Sequence, residues 1–308
     1  MSRREAGGDG RQAGLALVLV LWVLTLLSLI AAAFLTSSRS EMLAVRARID
    51  AARAEALADG AVHWAIERLL VLMSDEDVRD RVGLRLPIDG RPVTVPITGG
   101  EVQLRVQDMG GLIDLNAAEA PLIEGILVAV GIDPALAGLL ADRILDFRDP
   151  DDRPRPNGAE DAGYQAAGLP YEAKDAPFDR VDELRQIPGM TPEIVARLAP
   201  FVTTLSGARG IDPAVAPATV LAAVPGLAGP QRALILEGRR EGGSAAQPAQ
   251  GSNAALVASS RSSFRIIAAA RADGGGRFVR EAVIQLRAGA SPVRIRRWEQ
   301  GRLDAAAP

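Results

Sequence analysis

The hydrophobic pattern opens with one continuous apolar block and then becomes periodic. Residues 15–35 run for 21 residues without a charge. As a helix they would extend about 31 Å, enough to cross the hydrocarbon core of a membrane. Beyond the block, apolar residues recur every three or four positions as far as Leu70, so we predict one helix over about 15–72, with its first half in lipid. Two helices that break near residues 36–38 are the alternative.

A removable signal peptide is an alternative interpretation of the same block. The hydrophobic region of a signal peptide has roughly 7–15 residues and is followed by small residues at the cleavage site. Ala31, Ala32 and Ala33 match such a cut, but Phe34 and Leu35 continue the apolar run. We therefore favour a permanent anchor. Basic residues flank it on both sides in similar number, so we infer the orientation from the short charged leader, which we expect in the cytoplasm, with the bulk on the far side.

Alternating and helical patterns divide the rest of the chain. Residues 92–107 alternate around Gly99 and Gly100, which predicts a β-hairpin, and a second hairpin with a possible last strand is predicted within 261–308. Between them, 108–240 has mainly helical periodicity, and 241–260 has the composition of a flexible linker. The fold class is therefore α+β: a long helix on an antiparallel sheet, with a large all-α domain inserted between two strands.

Composition narrows the chemistry. The chain of 308 residues has no cysteine and one histidine, His63. Disulfides, thiol nucleophiles, Ser-His-Asp triads and multi-histidine metal sites are thereby excluded, and we do not expect an enzyme. Residues 108–205 carry 8 basic and 18 acidic side chains, whereas 206–308 carry 14 and 7. The middle of the chain is thus suited to cations and unsuited to nucleic acid.

Two segments of the helical region have the pattern of helix-hairpin-helix units. They span 181–202 and 218–240, with turns of an apolar residue, Pro, Gly and an apolar residue at 187–190 and 224–227. In DNA-binding versions such turns hold a phosphate. Glu193 occupies that position in the first unit, whereas the second has Arg232, Arg239 and Arg240 nearby. Packing is the interpretation we favour, and nucleic-acid binding is the alternative.

The loop 150–164 and its flanks concentrate oxygen ligands on a backbone rich in Pro and Gly. Calcium takes six to eight oxygens in flexible geometry, and such a loop suits it. The spacing of these residues does not match an EF-hand. On spacing alone, an acidic loop that is solvated and binds no metal is an equal alternative to a calcium site. The candidate metal ligands are Asp149, Asp151, Asp152, Asn157, Glu160 and Asp161.

Several motifs resemble a known family. An Arg-rich leader ends in Gly14, directly before Leu15 and the apolar block, which is similar to the N-terminus of type IV prepilins. The fifth residue after Gly14 is Leu19, where most such proteins have Glu. Together with "GGLIDLNAAEAPLI" (110–123), "DFRDPDDRPRPNGAEDAGY" (146–164), "APFDRVDELRQIPGM" (176–190) and Trp298-Glu299, this resembles the minor pseudopilin K family of type II secretion systems. Asp114 departs from the Asn usual there.

The resemblance implies a pseudopilin fold whose inserted helical domain binds calcium. It implies processing by prepilin peptidase between Gly14 and Leu15, a single inner-membrane span with the bulk in the periplasm, and a tip complex with minor pseudopilins I and J that starts pseudopilus assembly. The expected segments are a leader (1–14), a membrane half of the helix (15–35), the helix and first strands (36–107), the insertion (108–240), the linker (241–260) and the last strands (261–308). A membrane-anchored DNA receptor of the competence type is the alternative; with the favoured assignment no nucleic-acid partner is expected.

Overall fold

The computed structural model describes residues 9–72, 86–240, 253–289 and 291–302. Residues 1–8 of the predicted leader and 241–252 of the predicted linker lie outside the described residues. The fold is α+β, with an N-terminal helix, an antiparallel sheet and a helical region between two of the strands, as predicted.

The N-terminal helix, α1, is continuous from Asp9 to Leu72. The alternative of two helices is therefore wrong, and the helix begins six residues before the predicted start. Within α1, Leu17–Leu35 has a mean hydropathy of 2.8 and no part buried in the protein, so by length and composition it can cross a membrane. Exposed apolar residues continue beyond this span at Met42, Leu43, Val45 and Ile49.

The large sheet has five antiparallel strands in the order β1-β2-β5-β6-β7. Its first hairpin pairs Ile97 with Gly100, and its second pairs Arg271 with Arg277, so both predicted hairpins are present. β2 pairs with β5 from Gly100–Ala272 to Asp108–Phe264. The strands are β1 (Asp89–Ile97), β2 (Gly100–Asp108), β5 (Ser263–Ala272), β6 (Arg277–Leu286) and β7 (Val293–Gln300).

One face of this sheet packs against the second half of α1. The helix contributes three alanines, Ala58, Ala61 and Ala65, beside larger residues such as Leu69, and the sheet contributes Leu104 and Ile266, all of them buried. Alternate residues of a strand point to the same face, which explains why the alternating segments could be recognised in the sequence. Small side chains on the helix allow its backbone to approach the sheet closely.

The orientation of the sheet relative to α1 is fixed at its turns. Gly276, in the β5–β6 turn, lies so close to α1 that an added Cβ would be 2.1 Å from the carbonyl oxygen of Asp50. Asp50 is fifteen residues beyond Leu35, about 22 Å along a helix. Asp108 and Ser263, at the opposite ends of β2 and β5, therefore lie on the side of the sheet away from the membrane span. The chain enters and leaves the insertion at that end.

The insertion has its own core, which extends from Leu112 to Leu256 and includes Phe147 and Leu140. It also contains a short parallel ladder, in which Ile113 pairs with Val202, that the periodicity did not predict. Its elements are β3 (Ile113–Asp114), α2 (Ala120–Ala129), α3 (Pro134–Arg148), α4 (Asp161–Ala166), α5 (Pro192–Leu198), β4 (Val202–Thr203), α6 (Ala218–Ala223) and α7 (Gly229–Arg240), with 3-10 turns at Met109–Gly111, Val181–Gln186 and Ala199–Phe201.

The part of the predicted linker that the structure describes is packed rather than free. Leu256 is buried, and the Ile211 N–H donates to the carbonyl of Ala255 over 2.8 Å. The Ser259 hydroxyl then donates to Asp108 over 2.8 Å. This hydrogen bond joins the segment that leaves the sheet after β2 to the segment that returns to it before β5.

Candidate metal centre

Helix α3 supplies the first two residues of the candidate centre. It starts where predicted: the carboxylate of Asp133 accepts from the Ala135 N–H over 2.9 Å, and Pro134 is the first helical residue. Its apolar residues enter the insertion core. Asp146 lies in the last turn and Asp149 directly after the helix, three residues apart and so close to one another in space.

The chain then loops out and returns at Glu160, directly before α4. Asp146, Asp149 and Glu160 each present a carboxylate oxygen, and these oxygens all lie within 4.8 Å of one another. Asp146 is fully buried and Glu160 is 6% exposed. The close approach of the loop depends on Gly158, because an added Cβ there would be 1.7 Å from Oδ2 of Asp146.

A guanidinium lies between two of these carboxylates. Nη1 of Arg155 is 2.6 Å from Oδ1 of Asp146 and 2.6 Å from Oδ2 of Asp149. The backbone N–H of Arg155 also donates to Asp146 over 3.2 Å. Hydrogen bonds to both carboxylates raise the pKa of Arg155 above its usual value in spite of its partial burial. Arg155 thus supplies one positive charge to three clustered acids.

Glu160 is left without compensation. Both of its oxygens are buried and have no hydrogen-bond partner among the described residues. Desolvation by burial, and then the charges of Asp146 and Asp149, raise the pKa of Glu160 to about 7. A buried carboxylate without a partner is costly, so this position favours either a proton or a cation.

Further unpaired oxygens surround the cluster. Oδ1 of Asp149, the hydroxyl of Tyr164 and Oδ1 of Asp175 are buried and have no hydrogen-bond partner in the described part of the chain. Desolvation, and then the charge of Asp161, raises the pKa of Asp175, whose φ is +50°. The pKa of Tyr164 is likewise raised, first by desolvation and then by Tyr171 and Glu160.

The other four predicted ligands lie outside the cluster. Asp151 is exposed and accepts from the Arg153 N–H over 3.1 Å, and Asp152 is also exposed. The side-chain amide of Asn157 donates to Asp142 over 3.2 Å, which ties the loop to α3. Asp161 accepts from the Ala173 N–H over 3.2 Å. These three contacts shape the loop around the centre.

Asp146 is not among the ligands predicted from the sequence, because it lies in the helix before the acidic loop rather than in the loop itself. Asp142, Asp146 and Asp149 recur at spacings of four and three, which places them along one side of a helix that enters the loop. That spacing was the available signal. The oxygens present, from carboxylates and a phenol, are hard ligands of the kind that calcium prefers. The unpaired buried oxygens therefore fit a divalent cation.

The predicted processing residues lie in α1. Gly14 and Leu15 are helical in backbone, three and two residues before the apolar span begins at Leu17.

The comparisons of this chain with known proteins agree with one another. Residues 106–207, which include the candidate metal centre, match the family model for type II secretion system (T2SS) protein K. Type II secretion system protein K of Klebsiella pneumoniae is 29% identical over 209 residues, 64% of each chain. The protein K of Pectobacterium carotovorum subsp. carotovorum is 27% identical over 213 residues, 63% of each chain.

The fold agrees. A chain in the crystal structure of the GspK-GspI-GspJ complex from the enterotoxigenic Escherichia coli type 2 secretion system aligns with a TM-score of 0.53 at 19% identity, over 86% of this chain and 99% of that chain. The chain is thus similar to type II secretion system protein K in sequence, with the family match in residues 106–207, and similar to the solved GspK complex in fold. Its alignments with the first two relatives cover 64% and 63% of their length, just under two thirds.

Proposed function

We propose that this protein is a minor pseudopilin at the tip of the type II secretion pseudopilus, where it initiates or caps assembly with minor pseudopilins I and J. The solved relative is part of a complex of GspK, GspI and GspJ. The exposed apolar residues of α1 beyond the membrane span, such as Met42 and Val45, suit contacts with the corresponding helices of those partners. The role is structural and requires no catalytic residue.

The position of the insertion carries this proposal. It leaves the sheet between β2 and β5 and emerges at the end away from the membrane span. A further subunit stacked above this one would meet the insertion rather than the sheet. A subunit that carries its insertion in this position therefore suits the top of a fibre and not its shaft.

Leu19 supports the same place in the fibre. The family resemblance implies that the glutamate usual at this position pairs with the N-terminal amine of the subunit ahead. A subunit at the tip has none ahead, and an unpaired carboxylate at that depth costs about 2.5–3.5 kcal/mol. Leu19 lies in the apolar span and is 61% exposed, free to face lipid.

Calcium is the second part of the proposal. Asp146, Asp149 and Glu160 would hold the ion, with Arg155 displaced toward solvent. Asp175 and Tyr164 offer further buried oxygens without a hydrogen-bond partner among the described residues. When bound, the ion offsets the carboxylate charges and braces the loop between α3 and the turn at Val181–Gln186. The brace keeps the loop rigid on the exposed side of a tip subunit.

The membrane topology completes the proposal. Prepilin peptidase would cut between Gly14 and Leu15, and the span Leu17–Leu35 would stay in the inner membrane with the remaining chain in the periplasm. The anchor is thus retained rather than removed.

The DNA-receptor alternative is not favoured. At the second hairpin, Nη1 of Arg239 donates to the carbonyl of Ala216 over 2.7 Å, and its Nη2 donates to Pro213. Nη1 of Arg232 donates weakly to Ala222 over 3.4 Å. At the first hairpin, hydrogen bonds from Thr191 and from its own backbone N–H lower the pKa of Glu193. A carboxylate thus lies where a phosphate would bind.

The deciding experiment is co-purification of the tagged full chain, in detergent, with minor pseudopilins I and J from the same system. The expected result is a complex with one copy of each, by mass photometry. A chain that leaves I and J behind, and instead binds duplex DNA with strong salt dependence, would replace the proposal with the DNA-receptor function.

A further inference from the structure

A pocket lies where the insertion meets the sheet, lined by none of the residues of the candidate metal centre. One wall comes from Asp179–Val181 and Thr203–Leu205 of the insertion, and the other from β5, β6 and β7. Four arginines line it, together with one acid: Arg180, Arg265, Arg296 and Arg297, and Asp179. We call it the arginine pocket. Its volume of about 110 Å³ accommodates one small polar group.

A β-bulge places two of these arginines side by side. Val283 pairs with Arg297, but the next residue of β6, Ile284, pairs with Ile295, so Arg296 is the extra residue of β7. Consecutive residues of a regular strand point to opposite faces of a sheet. The bulge alters this alternation, and both Arg296 and Arg297 line the same pocket. Bulges that redirect a side chain are common beside functional sites.

The charge of the pocket is only partly compensated. Asp179 is already held by Lys174, whose Nζ lies 2.8 Å away. Glu281 lies 3.7 Å from Nε of Arg265 and 3.9 Å from Nη1 of Arg297. Glu299 lies 3.5 Å from Nη1 of Arg297, and Asp182 lies 3.5 Å from Nη2 of Arg180. These ion pairs are longer than ordinary charged hydrogen bonds, so they compensate the arginines only in part. Nε of Arg265 is buried and has no hydrogen-bond partner among the described residues.

We propose that the arginine pocket binds an oxyanion, either the carboxylate of an acidic polypeptide segment or a free phosphate group. Guanidinium groups present planar pairs of N–H donors that match both groups in geometry. The bound oxyanion would accept hydrogen bonds from Arg296 and Arg297 on the sheet and from Arg180 on the insertion. It would thereby join the two parts of the fold at a point independent of calcium.

The test is isothermal titration of the full chain in non-ionic detergent, after passage over a chelating resin. The probes are inorganic phosphate and an acetylated, amidated tetraglutamate, with tetraglutamine as the uncharged counterpart. Arg296→Gln and Arg297→Gln should each weaken binding about tenfold or more, the scale of one charged hydrogen bond. Arg271→Gln, an equal loss of charge at an exposed position of β5, should leave it unchanged.

The outcomes separate the sources of the oxyanion. Binding of tetraglutamate alone indicates a protein carboxylate, binding of phosphate alone indicates a small anion, and binding of both indicates an unselective oxyanion pocket. If neither probe binds, or if Arg271→Gln weakens binding as much as Arg297→Gln does, the proposal is overturned. Should a β7 variant unfold, Arg180→Gln on the opposite wall repeats the test without touching the sheet.

Discussion

Arg155 donates to the fully buried carboxylate of Asp146 over 2.6 Å and holds it in the manner of a bound cation. Its side chain is 36% exposed, so it can leave this position for water without crossing the core. The buried acids beside it exceed its single charge, and Glu160 has no hydrogen-bond partner among the described residues. This arrangement suits exchange between a guanidinium and a metal ion.

We therefore expect calcium to stabilise the full chain against heat. A ligand that binds only the folded state adds about 2.7 kcal/mol at a hundredfold excess over its Kd. Millimolar calcium should raise the Tm relative to chelated protein, and magnesium should do so poorly because it requires a tighter octahedron. Glu160→Gln should abolish the calcium-dependent rise. Differential scanning fluorimetry in detergent measures it.

The matched control is Asp151→Asn, the same kind of change in an exposed carboxylate of the same loop. It should keep most of the calcium effect, because Asp151 lies outside the cluster of Asp146, Asp149 and Glu160. Equal losses in both variants would return the ligand set to the one predicted from the sequence. A wild-type Tm that is the same with calcium and with chelator would leave the loop as a solvated connector.

The fold could be predicted largely because its two periodicities are clean. The three-and-four spacing of α1 and the alternation in β2 and β5 each place one face in a shared core. The ladder of Ile113–Asp114 with Val202–Thr203 could not be predicted in this way, since two residues are too few to establish a period.

The candidate metal site was predicted only in part for a related reason. Residues in a loop have no period, so acidity alone selected Asp151 and Asp152, which the structure places at the surface. Asp146 lies within a helix whose apolar periodicity indicates packing in a core, and this pattern does not indicate a metal ligand. Its burial, and the arrival of Arg155 beside it, depend on how the loop closes over Gly158, which composition does not determine.

Processing between Gly14 and Leu15 is tested by mass. In cells with an active prepilin peptidase, the membrane-extracted protein should begin at Leu15, and Gly14→Val should accumulate uncut. The reason is steric, because only glycine lacks the side chain that a close backbone approach would exclude. Intact-mass spectrometry reads both. Gly10→Val, an equal change four residues earlier in the leader, should still be cut, and a mature start after Ala33 would instead indicate a signal peptide.

A buried arginine of β6 fixes the sheet to α1 through two ion pairs. Arg280 is 8% exposed, and its guanidinium lies 2.6 Å from Oδ1 of Asp59 and 2.7 Å from Oε1 of Glu55. Arg280→Ala should lower the free energy of unfolding by about 1.5–3 kcal/mol, the range for a charged hydrogen bond. Arg277→Ala, an exposed position at the start of the same strand, should change it little. If chemical denaturation gives the same change in the free energy of unfolding for Arg280→Ala and Arg277→Ala, the contacts of Arg280 with α1 do not stabilise the fold specifically.

The last prediction concerns pH and Asp108, at the crossing from the sheet to the insertion. Its Oδ1 accepts from the Gly110 N–H and the Ser259 hydroxyl, each over 2.8 Å, while Oδ2 is buried and has no partner in the described part of the chain. Desolvation outweighs those two hydrogen bonds, so the pKa of Asp108 is raised above its ordinary 3.8. The unfolded chain then releases this proton at lower pH than the folded chain does.

The stability associated with Asp108 is therefore present below its ordinary pKa and falls as the pH rises toward the pKa of the folded state. Asp108→Asn does not titrate, so its Tm should increase relative to wild type across that interval and then stay level. Any effect of a cation at the candidate metal centre is common to both proteins and cancels in the difference. Ser259→Ala removes a hydrogen bond that lowers the pKa of Asp108, so it should extend the interval to higher pH. A Tm difference between Asp108→Asn and wild type that stays constant with pH would show that Asp108 titrates alike in both states.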